Sequence, residues 1–186
     1  MGCRLFGRTI DNWRAMKFVS ILTLLALAMV LLHPVAAQVF KPDNKTGDVA
    51  WDRKDYATAL KHYRPLAEQG NAGGQFRLGA AYDLGRGVTK DKRKAARFYR
   101  KAAIQGKSAA QRNLGRMYRD GEGILQDLVM AYVWLNIAAA NGDKFGSSDE
   151  RDDVRAVLNS PERKLARILS QRCFKKPKRC PEYSED

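Results

Sequence analysis

Histidine and cysteine are scarce in this chain of 186 residues, which has two histidines and three cysteines. Covalent catalysis needs a nucleophile beside a positioned base such as histidine, and a structural zinc ion takes about four histidine or cysteine ligands. Beyond the N-terminal segment only His62 remains, and no Ser-x-x-Lys sequence occurs. We therefore predict a non-enzyme with no catalytic residue, no metal site and no cofactor, and we interpret His62 as a packing residue.

The sequence also lacks the period-two alternation of apolar and polar residues that is typical of strands. Instead, the stretch from Gly70 to Gly142 repeats itself at an offset of 36 residues. The matching pairs include Leu78 and Leu114, Gly79 and Gly115, Tyr82 and Tyr118, Gly85 and Gly121, Asp91 and Asp127, Ala95 and Ala131, Ala103 and Ala139, and Gly106 and Gly142. A fixed period of this length is typical of stacked helical repeats. The predicted fold is all-α, an α-solenoid of antiparallel helix pairs with C-terminal capping helices.

Each repeat divides into two helices. Gly79 lies in the middle of the first, where glycine lowers helix propensity by roughly 1 kcal/mol, so we expect another helix to pack closely against it. Gly85 is expected to end that helix in the left-handed conformation. Asp91 and Asp127 are expected to cap the second helix of their repeats by accepting free amides of the first turn.

The N-terminal segment has the layout of a secretory signal. Four basic residues, Arg4, Arg8, Arg14 and Lys17, precede an apolar run over 18–32 and the small-residue sequence Val35-Ala36-Ala37. The run is shorter than the roughly 20 residues that span a bilayer, which favours a cleaved signal over a membrane anchor. We predict a periplasmic or secreted protein that begins near Gln38, with either Met1 or Met16 as the start of translation.

The remaining boundaries follow from the repeat. The predicted organisation is a signal peptide over 1–37, a flexible arm over 38–48, a partial N-terminal repeat over 49–69, full repeats over 70–105 and 106–141, capping helices over 142–172, and a disulfide loop with a tail over 173–186. Cys173 and Cys180 are an even pair in a predicted exported protein, so we expect them to form a disulfide.

The repeat resembles the Sel-one-like repeat family, a 36-residue relative of the tetratricopeptide repeats. The residues that carry the resemblance are Leu78-Gly79, Tyr82, Gly85, Gly87-Val88, Asp91, Lys94-Ala95, Phe98-Tyr99, Ala102-Ala103 and Gly106. The second repeat departs from the pattern at Met130 and Leu135. The resemblance covers about 50–172 and implies a stack of helix pairs that acts as an adaptor. Some cysteine-rich relatives are linked to penicillin binding or β-lactamase activity, but this chain lacks their cysteine in every repeat.

In stacks of this type the first helix of each pair lines a concave groove. The corresponding positions hold Phe76, Ala80 and Asp83 in the first full repeat, and Arg112, Arg116 and Arg119 in the second, with Asn113 beside them. Spacings of four and three residues place the three arginines on one helix face. Because the planar guanidinium suits carboxylates, we expect this stripe to receive an acidic segment of a protein partner; a merely solvated arginine face is the alternative.

A second basic set lies along the outer face of the second helix, namely Arg93, Arg97, Arg100 and Lys101. The whole chain carries a formal net charge of +14. A basic face on such a chain attracts anionic lipid or cell-wall polymer. The predicted function is therefore an exported adaptor or regulator, expected to be a monomer, that binds a protein partner in its groove. The alternatives are a cell-envelope polyanion binder and, more remotely, a penicillin-interacting hydrolase. Export makes a nucleic-acid partner unexpected.

Overall fold

The computed structural model describes residues 40–180, and this part of the chain is helical without strands. Its elements are α1 (Asn44–Asp52), α2 (Tyr56–Glu68), α3 (Ala72–Leu84), α4 (Lys92–Ala103), α5 (Ser108–Asp120), α6 (Leu128–Ala140), α7 (Ser147–Val157), α8 (Ser160–Lys175) and a 3₁₀ turn (Pro177–Arg179). The predicted signal peptide, the start at Gln38 and the last residues of the tail lie outside the described residues. Among the described residues, no helix is long and apolar enough to cross a membrane.

Consecutive helices pack in pairs and the pairs stack. The closest partners are α1 with α2, α3 with α4, and α5 with α6, while α2, α4 and α6 each also contact the first helix of the following pair. The core consists of alanine, larger aliphatic and aromatic side chains from both helices of each pair. This arrangement confirms the predicted solenoid of stacked helix pairs.

The start of each second helix is fixed by an aspartate. The carboxylate of Asp91 accepts a hydrogen bond from the amide of Lys94 at 2.9 Å, and Asp127 does the same for Met130 at 2.9 Å. Asp55 caps α2 in the same way. Hydrogen bonds favour the ionised form, so the side chain and amide of Thr58 lower the pKa of Asp55, and the amide of Lys94 lowers the pKa of Asp91. The predicted caps at Asp91 and Asp127 are thus confirmed.

The glycines within α3 and α5 mark close helix contacts, as the sequence predicted. A Cβ atom at Gly79 would lie 2.9 Å from the ring of Tyr99 on α4, and one at Gly115 would lie 2.8 Å from Cγ of Leu135 on α6. Both contacts are tighter than carbon atoms tolerate. The missing side chains therefore let the two helices of each pair approach one another.

The predicted flexible arm over 38–48 is wrong for its last residues, because α1 begins at Asn44. The carboxylate of Asp43 caps this helix by accepting from the amide of Thr46. Gly47, which suggested a loop, packs beneath the ring of Tyr63, where a Cβ would lie 2.5 Å from Cε1. The glycine therefore marks a contact between α1 and α2, and these two helices form a complete first pair.

Helices α7 and α8 close the C-terminal end of the stack. Helix α7 packs on α6 as the first helix of another repeat would, whereas α8 packs on α6 rather than pairing with α7. The buried face of α8 carries Ala166, Leu169, Ser170 and Cys173. Leu165 and Ile168, two apolar residues of the same helix, are 48% and 45% exposed.

The two ends of α8 are fixed by a capping box and a disulfide. The cap of α8 is Asn159, which exchanges side-chain and backbone hydrogen bonds with Glu162 in a capping box. The predicted disulfide between Cys173 and Cys180 is present, with both residues buried. Because α8 continues to Lys175, the disulfide joins the last turn of this helix to the end of the 3₁₀ turn.

Candidate functional site

The predicted groove residues lie on two neighbouring first helices. Phe76 and Asp83 are on α3, and Arg112, Asn113, Arg116 and Arg119 are on α5. The structure gathers them around two different centres. One is the hydroxyl group of Tyr99, which comes from α4, and the other is the carboxylate of Glu150, which comes from α7. Neither centre was singled out as a functional residue from the sequence.

The first centre joins α3 and α5 through Tyr99. Its hydroxyl donates to Oδ2 of Asp83 at 3.2 Å and also bonds the side chain of Asn113. The ring of Phe76 packs on the ring of Tyr99 with centroids 5.9 Å apart. Burial and the nearby charge of Asp83 raise the pKa of Tyr99 well above its usual range. Tyr99 is therefore a neutral buried link between the two helices at physiological pH.

Asp83 is also engaged on its other side. Nζ of Lys92 donates to Oδ1 of Asp83 at 2.6 Å and to Oε2 of Glu122 at 2.7 Å. The amine thus joins the end of α3 to the loop that follows α5. Since both oxygens of Asp83 have partners within the chain, this residue is a structural element of the groove rather than an open binding group.

A similar link joins the first two pairs of helices. The hydroxyl of Tyr63 on α2 donates to Oδ1 of Asp48 at 2.7 Å, and Asp48 also pairs with Nε of Arg77 at 2.8 Å. Burial raises the pKa of Tyr63 as it does that of Tyr99. The two tyrosines are 36 residues apart, but Asp48 and Asp83 are 35 apart. An alignment at a strict offset of 36 therefore misses this recurring bond.

The second centre is Glu150, on which the three arginines of α5 converge. Its carboxylate lies 3.8 Å from Nη1 of Arg112, 3.7 Å from Nε of Arg116 and 3.6 Å from Nη1 of Arg119. Two further carboxylates of the chain complete the cluster: Asp143 lies 3.4 Å from Nε of Arg112, and Asp120 lies 2.8 Å from Nε of Arg119. The predicted stripe therefore forms a single cluster, but its acidic partners belong to the same chain.

The position of Glu150 in the repeat explains this cluster. Glu150 follows Leu114 by 36 residues, and Leu114 follows Leu78 by 36, so a glutamate takes the place of the buried leucine. Its side chain is only 21% exposed, and Oε2 has no hydrogen-bond partner among the described residues. A carboxylate this enclosed needs nearby positive charge. The arginines supply it and thereby hold α7 against α5.

The arginines differ in what they leave for a partner. Arg112 and Arg119 are largely covered, at 18% and 30% exposure of their side chains, whereas Arg116 is 49% exposed. All three arginines lie beyond hydrogen-bond distance of Glu150, so the exposed fraction is what distinguishes Arg116. Arg116 is thus the member of the stripe whose donors face solvent.

The predicted outer basic face is only partly an open surface. Arg93, Arg97 and Lys101 are exposed on α4. Arg100 instead donates to the hydroxyl of Tyr118 on α5 at 2.5 Å. It therefore belongs to the contact between consecutive repeats, and its assignment to the outer face was wrong.

Buried side chains with catalytic or metal-binding potential have structural contacts. His62 is buried, and its Nδ1 accepts a hydrogen bond from the amide of Asp43 at 3.2 Å, at the start of α1. Among the described residues there is no group of three histidine, cysteine or acidic side chains able to hold a metal ion.

The repeat arrangement matches a known family. The family model of the Sel1 repeat matches residues 47–71, 72–107 and 108–143. This is the Sel-one-like repeat named above. The chain belongs to the Sel1 repeat family. Sel1 repeat proteins are generally non-catalytic helical scaffolds for protein–protein interaction. The match begins at Gly47, within α1, so the first repeat extends further toward the N-terminus than the partial repeat predicted over 49–69.

Two solved structures resemble this Sel1 repeat protein. One is a protective antigen present in uropathogenic Escherichia coli strains that displays an SLR fold, with a TM-score of 0.67 and 30% identity over 75% of this chain and 32% of the antigen. The chain thus spans about a third of the antigen's length. The other is a Sel1 repeat protein from Oxalobacter formigenes, with a TM-score of 0.53 and 32% identity over 59% of this chain and 85% of that protein. No curated protein matches the sequence significantly.

Proposed function

We propose that this Sel1 repeat protein is an exported, non-catalytic adaptor that binds an acidic segment of a protein partner on the surface of α3 and α5. The observation that carries the proposal is the half-exposed Arg116, whose guanidinium lies beyond hydrogen-bond distance of Glu150. Its donors are therefore available to a second carboxylate, which a planar guanidinium binds well. The other two arginines of the stripe position α7 and make no direct contact with the partner in this proposal.

An apolar contact accompanies this charged one. Phe76 is partly buried, and its ring packs on the ring of Tyr99. The cationic groups of Arg77 and Lys107 lie 5.9 and 5.8 Å from the centroid of the Phe76 ring. Tyr99 also bonds Asn113, and the charge of Arg116 acts on the hydroxyl of Tyr99. The aromatic and basic groups therefore lie around Tyr99. Aromatic and arginine side chains are the residue types that contribute most to protein interfaces.

Export is supported by the N-terminal sequence and by the disulfide. Disulfides persist in oxidising compartments such as the periplasm. The test is cell fractionation of a C-terminally tagged chain, together with N-terminal sequencing of the product. A mature N-terminus near Gln38 in the periplasm or the medium is expected, and an intact chain retained in the cytoplasm contradicts export.

Partner binding is tested by charge reversal at the groove. With the purified protein as bait, Arg116→Glu is expected to lower capture of a partner from a periplasmic extract by about ten-fold, since a repulsive charge replaces a charge-assisted hydrogen bond. Arg64→Glu, at an exposed position on α2, makes the same charge change elsewhere and is the control. Equal capture by both variants contradicts the proposed surface.

The polyanion-binding alternative retains one supporting observation, the exposed Arg93, Arg97 and Lys101 on α4. Binding of a polyanion through this face should fall steeply as salt rises, because it releases condensed counterions. A groove with an aromatic anchor should be less sensitive to salt. The salt dependence of binding therefore separates the two functions.

A further inference from the structure

A basic cleft of about 350 Å³ lies between α6, α7 and α8, away from the surface of α3 and α5. Its wall is formed by Tyr132 of α6, Arg155 of α7, and Arg163, Lys164 and Arg167 of α8. Four cationic side chains and one phenol thus surround a space at the lower end of the size range of ligand sites. None of these five residues belongs to the predicted groove or to the predicted basic face.

The cleft has far fewer carboxylates than the arginine cluster on α5. There, Arg112, Arg116 and Arg119 are matched by Glu150, Asp143 and Asp120. In the cleft, Arg155 comes no closer than 3.9 Å to Asp152, and Asp152 is bound more closely by Arg151 at 2.9 Å. Lys164 and Arg167 pair with no carboxylate among the described residues. The positive charge of the cleft is therefore largely uncompensated.

Two side chains of the cleft, Arg163 and Tyr132, also make contacts within the chain. Nε of Arg163 donates to the carbonyl of Leu158 at 2.8 Å, so this arginine bonds the chain just after α7. The nearby Glu162 is occupied in the capping box with Asn159. Tyr132 is partly buried against the core. Arg163 is thus bonded to the backbone although its side chain is exposed, and the exposed Lys164 and Arg167 contribute the available charge.

We propose that this cleft is a binding site for the phosphate group of an anionic ligand. A phosphate monoester carries nearly two negative charges at neutral pH and three acceptor oxygens, so it suits several cations around a small space better than one carboxylate does. Arginine and lysine are the side chains that bind phosphate most often. The site is separate from the proposed partner surface and does not depend on it.

The phosphate has two possible carriers, a lipid headgroup or a soluble ester. Leu165 and Ile168 lie next to Lys164 and Arg167 along α8 and are about half exposed. In contact with a membrane these apolar side chains would enter the interface, since apolar area and cationic charge together determine such binding. With a soluble ester they remain in water and do not contribute.

The test measures binding of the full chain to two probes. One is inorganic phosphate or glycerol 3-phosphate in solution, and the other is vesicles of phosphatidylcholine with and without phosphatidylglycerol. Binding to phosphatidylcholine alone measures the charge-independent contribution of apolar residues, the N-terminal run included, and is the baseline for the comparison. We expect Lys164→Glu with Arg167→Glu to lower binding to the responding probe by at least about ten-fold.

A matched control separates the cleft from the overall positive charge. Lys45→Glu with Arg64→Glu makes the same change at exposed positions of the first repeat and is expected to lower binding about two-fold or less, through net charge alone. Circular dichroism of both double variants checks that they are folded. Equal losses in the two double variants, or no binding to either probe by the unaltered chain, overturn the site.

The carrier is identified by Leu165→Ser with Ile168→Ser. A lipid carrier predicts weaker vesicle binding by this variant and unchanged binding of the soluble phosphates. If the carrier is a soluble ester, this variant binds phosphate in solution as the unaltered chain does. Phosphatidylglycerol then causes no increase in binding to vesicles. Because the cleft variants leave Arg116 intact, partner capture is expected to persist when phosphate binding is lost.

Discussion

The contact between α3 and α5 and the contact between α5 and α7 are made on the same scaffold by opposite means. In the first, a neutral tyrosine from the intervening helix bonds Asp83 and Asn113. In the second, Leu135 replaces that tyrosine, and Arg112, Arg116 and Arg119 surround Glu150. The repeat thus fixes where helices meet, while the chemistry that joins them is free to change from one repeat to the next.

A separate link recurs where α3 and where α5 joins the helix pair before it. Nε2 of Gln75 donates to the carbonyl of Ala67, and Nε2 of Gln111 donates to that of Ala103. Each glutamine also accepts from a side chain at the end of its own repeat, Gln105 or Asn141. Both glutamines are buried. They bond the first helix of a pair to the preceding pair, whatever the groove residues are.

The largest effect is expected at this recurring link. Gln111→Ala should lower the free energy of unfolding by about 3 kcal/mol, because it truncates a buried side chain and removes a buried hydrogen bond to Ala103 and a partly buried one from Asn141. Gln75→Ala should cost less, about 2 kcal/mol, because its bond to Ala67 is 3.4 Å long against 2.9 Å for Gln111. Urea unfolding measures both losses. Gln126→Ala, which removes an exposed bond, is the control, and an equal loss there contradicts the prediction.

The next effect concerns the charged contact alone. Glu150→Ala should lower the free energy of unfolding by about 2 kcal/mol, because it leaves the arginines of α5 without their shared, enclosed carboxylate. Asp149→Ala removes an exposed acid from the same helix and should cost no more than about 0.5 kcal/mol. Thermal unfolding compares the two variants. A loss as small for Glu150 as for Asp149 means that the arginines do not hold α7.

The smallest effect concerns the neutral contact. Tyr99→Phe should cost about 1 kcal/mol at neutral pH, through loss of the bonds to Asp83 and Asn113. Since the pKa of Tyr99 is raised in the folded protein, its stabilising contribution is complete below about pH 10, the ordinary tyrosine pKa. That contribution is lost as the pH rises toward the folded pKa.

A comparison of stability at alkaline pH therefore tests the hydroxyl group of Tyr99 separately. Above about pH 10 the unaltered protein should lose stability more steeply than Tyr99→Phe, by up to about 1.4 kcal/mol per pH unit. Unfolding in urea at a series of pH values measures the two slopes. Parallel curves show that the hydroxyl of Tyr99 ionises as easily in the folded state as in the unfolded state, which contradicts the neutral link.

The sequence predicted the parts of the fold that recur at a fixed offset. The caps at Asp91 and Asp127 and the close contacts at Gly79 and Gly115 are local or periodic, so a single sequence reveals them. The beginning of helix α1 was placed in the arm because a glycine is typical both of loops and of tight packing, and only the ring of Tyr63 over Gly47 distinguishes the two. The buried face of α8 does not follow from hydropathy alone, because Leu165 and Ile168 are exposed while Ala166 and Cys173 are buried.

The groove residues show a different limit. The positions of the three arginines on one face were predictable from their spacing, but their carboxylate was not. Glu150 lies more than 30 residues from each of them in sequence, amid several other acids, and charge alone does not indicate which acid is close. A glutamate at the place of a repeat leucine was the available signal, and it appears only when the alignment is extended past Gly142.

The glutamate at this position also bears on how the chain finds its fold. A protein built from similar units can dock a helix one unit too early, and such a misaligned intermediate buries nearly as much apolar surface as the correct one. On α3 the positions equivalent to the arginines hold Phe76, Ala80 and Asp83, so α7 docked there would bring Glu150 beside another carboxylate. We therefore expect the charges to disfavour this misaligned docking during folding.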